Sequence, residues 1–143
     1  MILADANLLL YAYHSGCPEH TAARTWLEER FSSPEPFALC WQTISAFLRL
    51  TTNRTVFSFP FSIGEATEIV ARWLERPMVV LLEPGARYWS IARPLLEESN
   101  VRGALVPDAL LAALAIEHGA TLATHDLDFR RFPALRTLDP IVT

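Results

Sequence analysis

The sequence predicts an α/β fold: a three-layer α/β/α domain with helices on both faces of a mostly parallel sheet. Three observations predict it. Short apolar runs alternate along the chain with longer stretches of helical period, the pattern of βα units rather than of hairpins. The runs are apolar throughout, as strands buried on both faces are. No repeat, low-complexity segment or long linker interrupts the 143 residues, a length that suits one domain, 1–143.

The elements follow in order. Ile2–Asp5 is the first strand. Two helices, Asn7–His14 and Pro18–Phe31, come next. Pro18 suits a helix start because its fixed φ and missing N–H cost nothing in a first turn. Ser32-Ser33-Pro34-Glu35-Pro36 breaks the chain. Phe37–Trp41 reads as a short strand and Thr43–Thr52 as a helix. Phe57–Phe61 is an aromatic loop. Ser62, with Glu65 three residues on, forms a capping box for a helix running through Glu75, which Pro77 stops. Met78–Leu82 reads as a central strand. Gly85–Asn100 is helical, with a break or late start near Pro94. Pro107–His118 is the most apolar helix, closed by Gly119. Thr121–Thr124 and Leu135–Leu138 complete the strands.

Composition narrows the function classes. Hydrophobic residues make up 51% of the chain and charged residues 20%, enough for a core without disulfide or metal staples at this size. No apolar run reaches the roughly 20 residues that span a bilayer. Met1–Asp5 lacks the basic region of a signal peptide. The expected location is therefore the cytoplasm, with no membrane partner. Cys17 and Cys40 do not amount to a disulfide framework. The net charge of −4 does not advertise nucleic-acid binding, although a local arginine patch suffices for it. All 12 basic residues are arginine, so any mechanism that requires a lysine is excluded.

Three aspartates carry the chemistry. Asp5 and Asp126 follow short apolar runs, and Asp108 opens the apolar helix. In an open α/β sheet, ligands bind beyond the carboxyl ends of the strands, so acids placed there from both ends of the chain point to one shared site. Each also has a plainer role: Asp5 as a helix cap, Asp108 as a complement to a helix dipole, Asp126 and Asp128 as turn residues. Together they outweigh those roles. The helix after Asp108 is apolar on nearly all sides and must be buried, which puts its first turn at a crevice wall. Clustered carboxylates cannot all stay ionised without a cation, and oxygen ligands select a hard one such as Mg²⁺ or Mn²⁺.

The stretches holding these acids resemble PIN-domain toxins of the VapC type. The likeness begins at Ile2-Leu3-Ala4-Asp5-Ala6-Asn7-Leu8-Leu9-Leu10-Tyr11. It continues through Ala46-Phe47-Leu48-Arg49-Leu50-Thr51-Thr52-Asn53-Arg54 and Val106-Pro107-Asp108-Ala109-Leu110-Leu111-Ala112-Ala113-Leu114-Ala115. It ends with Gly119-Ala120-Thr121-Leu122 and Thr124-His125-Asp126-Leu127-Asp128-Phe129. The resemblance implies a PIN-like α/β/α domain and a Mg²⁺- or Mn²⁺-dependent endoribonuclease toxin with RNA as substrate. It also implies a cognate antitoxin and a homodimer. By position, Asp5, Asp108 and Asp126 match the family's catalytic, metal-binding acids, and Asp128 a frequent additional one. Asn7 and Thr124 match polar residues lining the site. One departure stands out. Many members carry a glutamate in the third helix, within a pattern like Ala-Glu-Phe, where this chain has Ser45-Ala46-Phe47. The alternative reading is therefore a catalytically weakened PIN-fold module that binds RNA or protein, with Ala46 in the glutamate's place.

The expected reaction is hydrolysis of an RNA phosphodiester. Arg49 and Arg54 either hold the RNA backbone or sit as solvated helix-end arginines. Asp126-x-Asp128 also resembles the nucleophile motif of haloacid-dehalogenase enzymes, but aspartyl phosphotransfer uses a lysine near the phosphoryl group and P-loop chemistry needs one too. The four histidines show no metal-ligand spacing. Trp26, Trp73 and Trp89 read as core or half-core. Phe57, Phe59 and Phe61, in a Pro-containing loop, read as a contact for the antitoxin or a second subunit.

Overall fold

The computed structural model describes residues 1–141. Among these residues there are five strands: β1 (Ile2–Ala4), β2 (Phe37–Leu39), β3 (Val79–Leu81), β4 (Thr121–Ala123) and β5 (Thr137–Leu138). They form one sheet in the order β3-β2-β1-β4-β5, and every neighbouring pair is parallel. The helices are α1 (Ala6–Tyr13), α2 (His20–Phe31), α3 (Trp41–Thr51), α4 (Ile63–Glu75), α5 (Tyr88–Glu98) and α6 (Leu105–Glu117).

The three central strands β1, β2 and β4 are buried on both sides, and they read as unbroken apolar runs for that reason. Successive side chains point to opposite faces. Leu3, Ala38 and Leu122 pack with Leu111 and Leu114 of α6 on one face. Ala4, Phe37, Leu39 and Ala123 pack with Leu9, Trp26, Phe47 and Trp73 of α1–α4 on the other. The result is the expected α/β/α layering.

Helix boundaries follow local chemistry. Ser62 accepts from the Glu65 amide at 3.1 Å while Glu65 accepts from the Ser62 amide at 3.0 Å, closing the capping box at the start of α4. Gly119 takes a positive φ of 65° just past α6, the left-handed turn that ends helices most cheaply at glycine.

The structure corrects four expectations. The 78–82 run forms an edge strand, not a central one. After β3 the chain crosses through α5 and α6 to the far side of β1, leaving β3 unpaired on its outer side. Helix α5 continues through Pro94 without a break; Pro94 lies on its exposed face, where water can take the freed carbonyl of Ser90. Trp89 is 61% exposed rather than core. The final strand shrinks to Thr137–Leu138, with Leu135 turned into the core instead. An unforeseen 3₁₀ turn, Leu127–Arg131, follows β4.

Candidate metal centre

The strand order places one switch point in the sheet. From β1 the chain moves outward to β2 on one side and, later, to β4 on the other. A crevice opens there beyond the strand ends. Its wall includes Asp5, Asn7, Ala46, Arg49, Asp108 and Asp126. Four chain segments distant in sequence therefore meet, as the spacing of the acids predicted.

Asp5 and Asp126 are held by local capping motifs. Asp5 caps α1, its Oδ1 accepting from the Ala6 amide at 2.7 Å. Its Oδ2 accepts from the Thr124 hydroxyl, also at 2.7 Å. That hydroxyl in turn accepts from the Asp126 amide at 3.0 Å, so Thr124 stands behind the acids and locks two of them in register. Asp126 caps the 3₁₀ turn, accepting from the Asp128 amide at 2.9 Å. Asp108 sits in the first turn of α6. The capping roles and the clustering coexist: a cap fixes the carboxylate's direction, and the sheet brings the capped ends together.

The tightest group is Asp108, Asp126 and Asp128. Each offers a carboxylate oxygen, and these oxygens lie within 4.8 Å of one another. Asp128, expected only as an addition, is thus in the innermost set, while Asp5 stands beside it with both oxygens already hydrogen-bonded. Burial pushes the Asp108 carboxyl up to about 6, helped by the charges of Asp126, Asp5 and Asp128 and opposed by Arg131. Asp5 is raised as well, first by burial and last by Asp126, against the lowering pull of its two hydrogen bonds. Asp108 and Asp5 are thus crowded and part-buried enough for their bare anions to be disfavoured. An all-oxygen donor set of this kind fits a hard divalent cation.

Other positions sort less evenly. Asn7 and Arg49 line the crevice. Arg54 is exposed in the turn after α3 and is not part of the wall. Ala46 does line it, so a methyl group faces the acids where the glutamate would project. Two residues were not foreseen. Gln42 donates to the Pro107 carbonyl at 2.8 Å, tying α3 to the turn that carries Asp108. Arg131, donating to the Asp128 carbonyl at 3.1 Å, is the cation nearest in effect to Asp108. Its only sequence signal was its place three residues after Asp128.

The family profile described as PIN domain matches residues 2–135. The chain belongs to the PIN domain family. Among curated PIN relatives, ribonuclease VapC31 of Mycobacterium tuberculosis (strain CDC 1551 / Oshkosh) is 36% identical over 140 residues, covering 98% of this chain and 99% of the relative. Among solved structures, the Mycobacterium tuberculosis toxin VapC20, described as cleaving the sarcin–ricin loop, superposes with a TM-score of 0.68 at 18% identity. That match covers 91% of this chain and 93% of VapC20. VapBC2 from Rickettsia felis, solved bound to a DNA fragment from its promoter, gives a TM-score of 0.67 at 20% identity, covering 96% and 98%. At these identities the solved structures establish the PIN fold. No helix among the described residues is long and apolar enough to cross a membrane.

Proposed function

We propose that this PIN domain is a Mg²⁺- or Mn²⁺-dependent endoribonuclease, the toxin of a type II toxin–antitoxin pair, acting in the cytoplasm as a homodimer. The observation that carries the reading is the convergence of Asp108, Asp126 and Asp128 to within 4.8 Å, beside Asp5, at the switch point of the sheet. The ribonuclease naming of its close relative supports it.

Asp108, Asp126 and Asp128 are the residues that would hold the ion, and Asp5 keeps unused lone pairs facing the same crevice. A divalent ion in such a site supplies a Lewis acid for a phosphate oxygen and acidifies a bound water. The remaining work belongs to the chain. Thr124 keeps Asp5 and Asp126 oriented. Gln42 holds the turn bearing Asp108 against α3. Arg49, which lines the same crevice, would pair with an RNA phosphate. Ala46 removes one carboxylate from the family's usual set, which lowers the charge available to compensate the ion and favours a slower enzyme.

Two apolar surfaces suit the protein partners. A groove of about 650 Å³ is lined by Tyr13, His14, Pro18, Val56, Phe57 and Phe59, among others, with no charged side chain. Of the two occupants the aromatic loop suggested, an antitoxin or a second subunit, we assign this groove to the antitoxin. Val80 and Leu81 expose apolar surface at the β3 edge, which suits a second copy.

The test is cleavage of structured RNA by chain freed of antitoxin. Cutting in Mg²⁺ or Mn²⁺, abolished by chelator and reduced about a hundred-fold or more in Asp126→Asn, is expected from loss of several kcal/mol of transition-state stabilisation. The second reading, a binding module, rests on Ala46 in the crevice wall. It wins if wild type and Asp126→Asn bind RNA alike and neither cuts it.

A further inference from the structure

Trp41 opens α3 immediately beyond the carboxyl end of β2 and leaves 53% of its surface exposed. It walls a groove of about 480 Å³ together with Ile44, Leu48 and the 62% exposed Ile63 at the start of α4. Ser45 and Arg49 line this groove and the acid crevice alike. The two grooves therefore adjoin along α3 at Ser45 and Arg49, with carboxylates lining one and the exposed indole of Trp41 lining the other.

We infer that Trp41 and the groove beside it form a base-stacking subsite for a single-stranded nucleotide flanking the scissile phosphate, with Arg49 holding the phosphate between them. The inference rests on the nuclease reading of the acid crevice. RNA is recognised chiefly where its bases are unpaired and can stack on aromatic side chains. Such stacking tolerates any base because every base has a π face. A chain held by its phosphate at the acids must leave the crevice somewhere. The exit over Ser45 and Arg49 offers, in succession, a cation for the next phosphate and an apolar shelf for its base. The aromatic-loop groove contrasts with it. That groove has no charged lining residue and shares none with the acid crevice, as suits a protein partner rather than a polyanion.

The test uses the full chain, a short single-stranded RNA spanning the bond wild type cuts, and the same RNA with an abasic site next to that bond. Trp41→Ala is expected to raise KM for the intact RNA about ten-fold or more, with kcat changed less than about two-fold and thermal midpoint unchanged. Trp41→Phe recovers most of the loss. The abasic RNA weakens wild-type binding to the same extent and leaves Trp41→Ala no worse, the signature of two groups that touch. Equal KM for wild type and Trp41→Ala overturns the proposal. So does a change of oligomeric state in Trp41→Ala by light scattering with RNA affinity unaltered, which would hand this face to a second copy of the chain. If wild type cuts no RNA in Mg²⁺ or Mn²⁺, the nuclease reading fails on its own. Anisotropy binding of the two RNAs, run in the Asp126→Asn background with sites scanned along the oligonucleotide, then decides the stacking subsite: a loss in Trp41→Ala supports it, and no loss or no binding overturns it.

Discussion

Asp108 is where burial and like charge meet most sharply, and its titration has a definite sign. Its carboxyl rises from an ordinary 3.8 to about 6 in the folded chain, so between those values the folded state holds more protons than the unfolded one. Stability of the metal-free protein therefore falls as pH rises through that window and stays lowered above it. The thermal midpoint in chelator should drop from about pH 4 to pH 6.5, and Asp108→Asn should flatten that slope and stabilise the metal-free chain at neutral pH. A midpoint that climbs over the same range in wild type would contradict the crowding. His14 behaves oppositely. Burial, with His20 second, lowers its pKa, so its contribution is lost as pH falls below its unfolded value. Thr124 joins two acids through one hydroxyl. Thr124→Val should leave two polar groups short of a partner, costing about 1–3 kcal/mol and reducing cleavage more than it reduces RNA binding. At this scale the acids were legible because capping positions and strand ends are written in short-range pattern. Arg131 and Gln42 were not, since their roles depend on which turn the fold lays against them.

Helices and strands carry the next set of consequences. Glu117, at the end of α6, is buried and accepts from the Gly85 and Arg87 amides at 2.8 and 3.0 Å. It thereby caps the start of α5 from another helix, while the Arg87 guanidinium returns to the Glu117 carbonyl at 2.8 Å. A Cβ on Gly85 would meet Glu117 Oε2 at 2.8 Å. Gly85→Ala and Glu117→Ala should each lower stability by about 1–3 kcal/mol, readable as a shift in urea midpoint without a change in slope. The aromatic loop divides its labour. Phe57 stacks flat on His14 at 3.7 Å between ring centroids, while Phe59 is 92% exposed. Phe59→Ser should leave the thermal midpoint of the toxin alone and weaken antitoxin binding about ten-fold or more; unchanged antitoxin affinity would move the seat elsewhere. The elements themselves were readable from periodicity and caps. The edge position of β3 was not, because Met78-Val79-Val80-Leu81-Leu82 is as apolar as a central strand, and only the long crossover through α5 and α6 decides where it lies.

Across the whole molecule, topology makes the site. A parallel order of β3-β2-β1-β4-β5 sets β1 beside β4, though they lie more than a hundred residues apart in sequence. The acids following them meet for that reason alone. Layering, sheet direction and the meeting of the acids were legible from strand-end carboxylates and unbroken apolar runs. Membership of the inner trio was not, because Asp128 is placed by a 3₁₀ turn that no periodic pattern announces. A site of crowded carboxylates also links metal to stability, since an ion bound only by the folded chain adds about 2.7 kcal/mol at a hundred times its Kd. Mn²⁺ should raise the thermal midpoint at neutral pH, and Asp126→Asn should abolish the rise.

If sequence-distant acids build one cation site, a crystal soaked in Mn²⁺ will reveal it. An anomalous difference peak is expected, bounded by Asp108, Asp126 and Asp128 and within direct or water-mediated reach of Asp5. An empty crevice at saturating Mn²⁺, or a peak bound elsewhere on the chain, would show that these acids do not form a cation site.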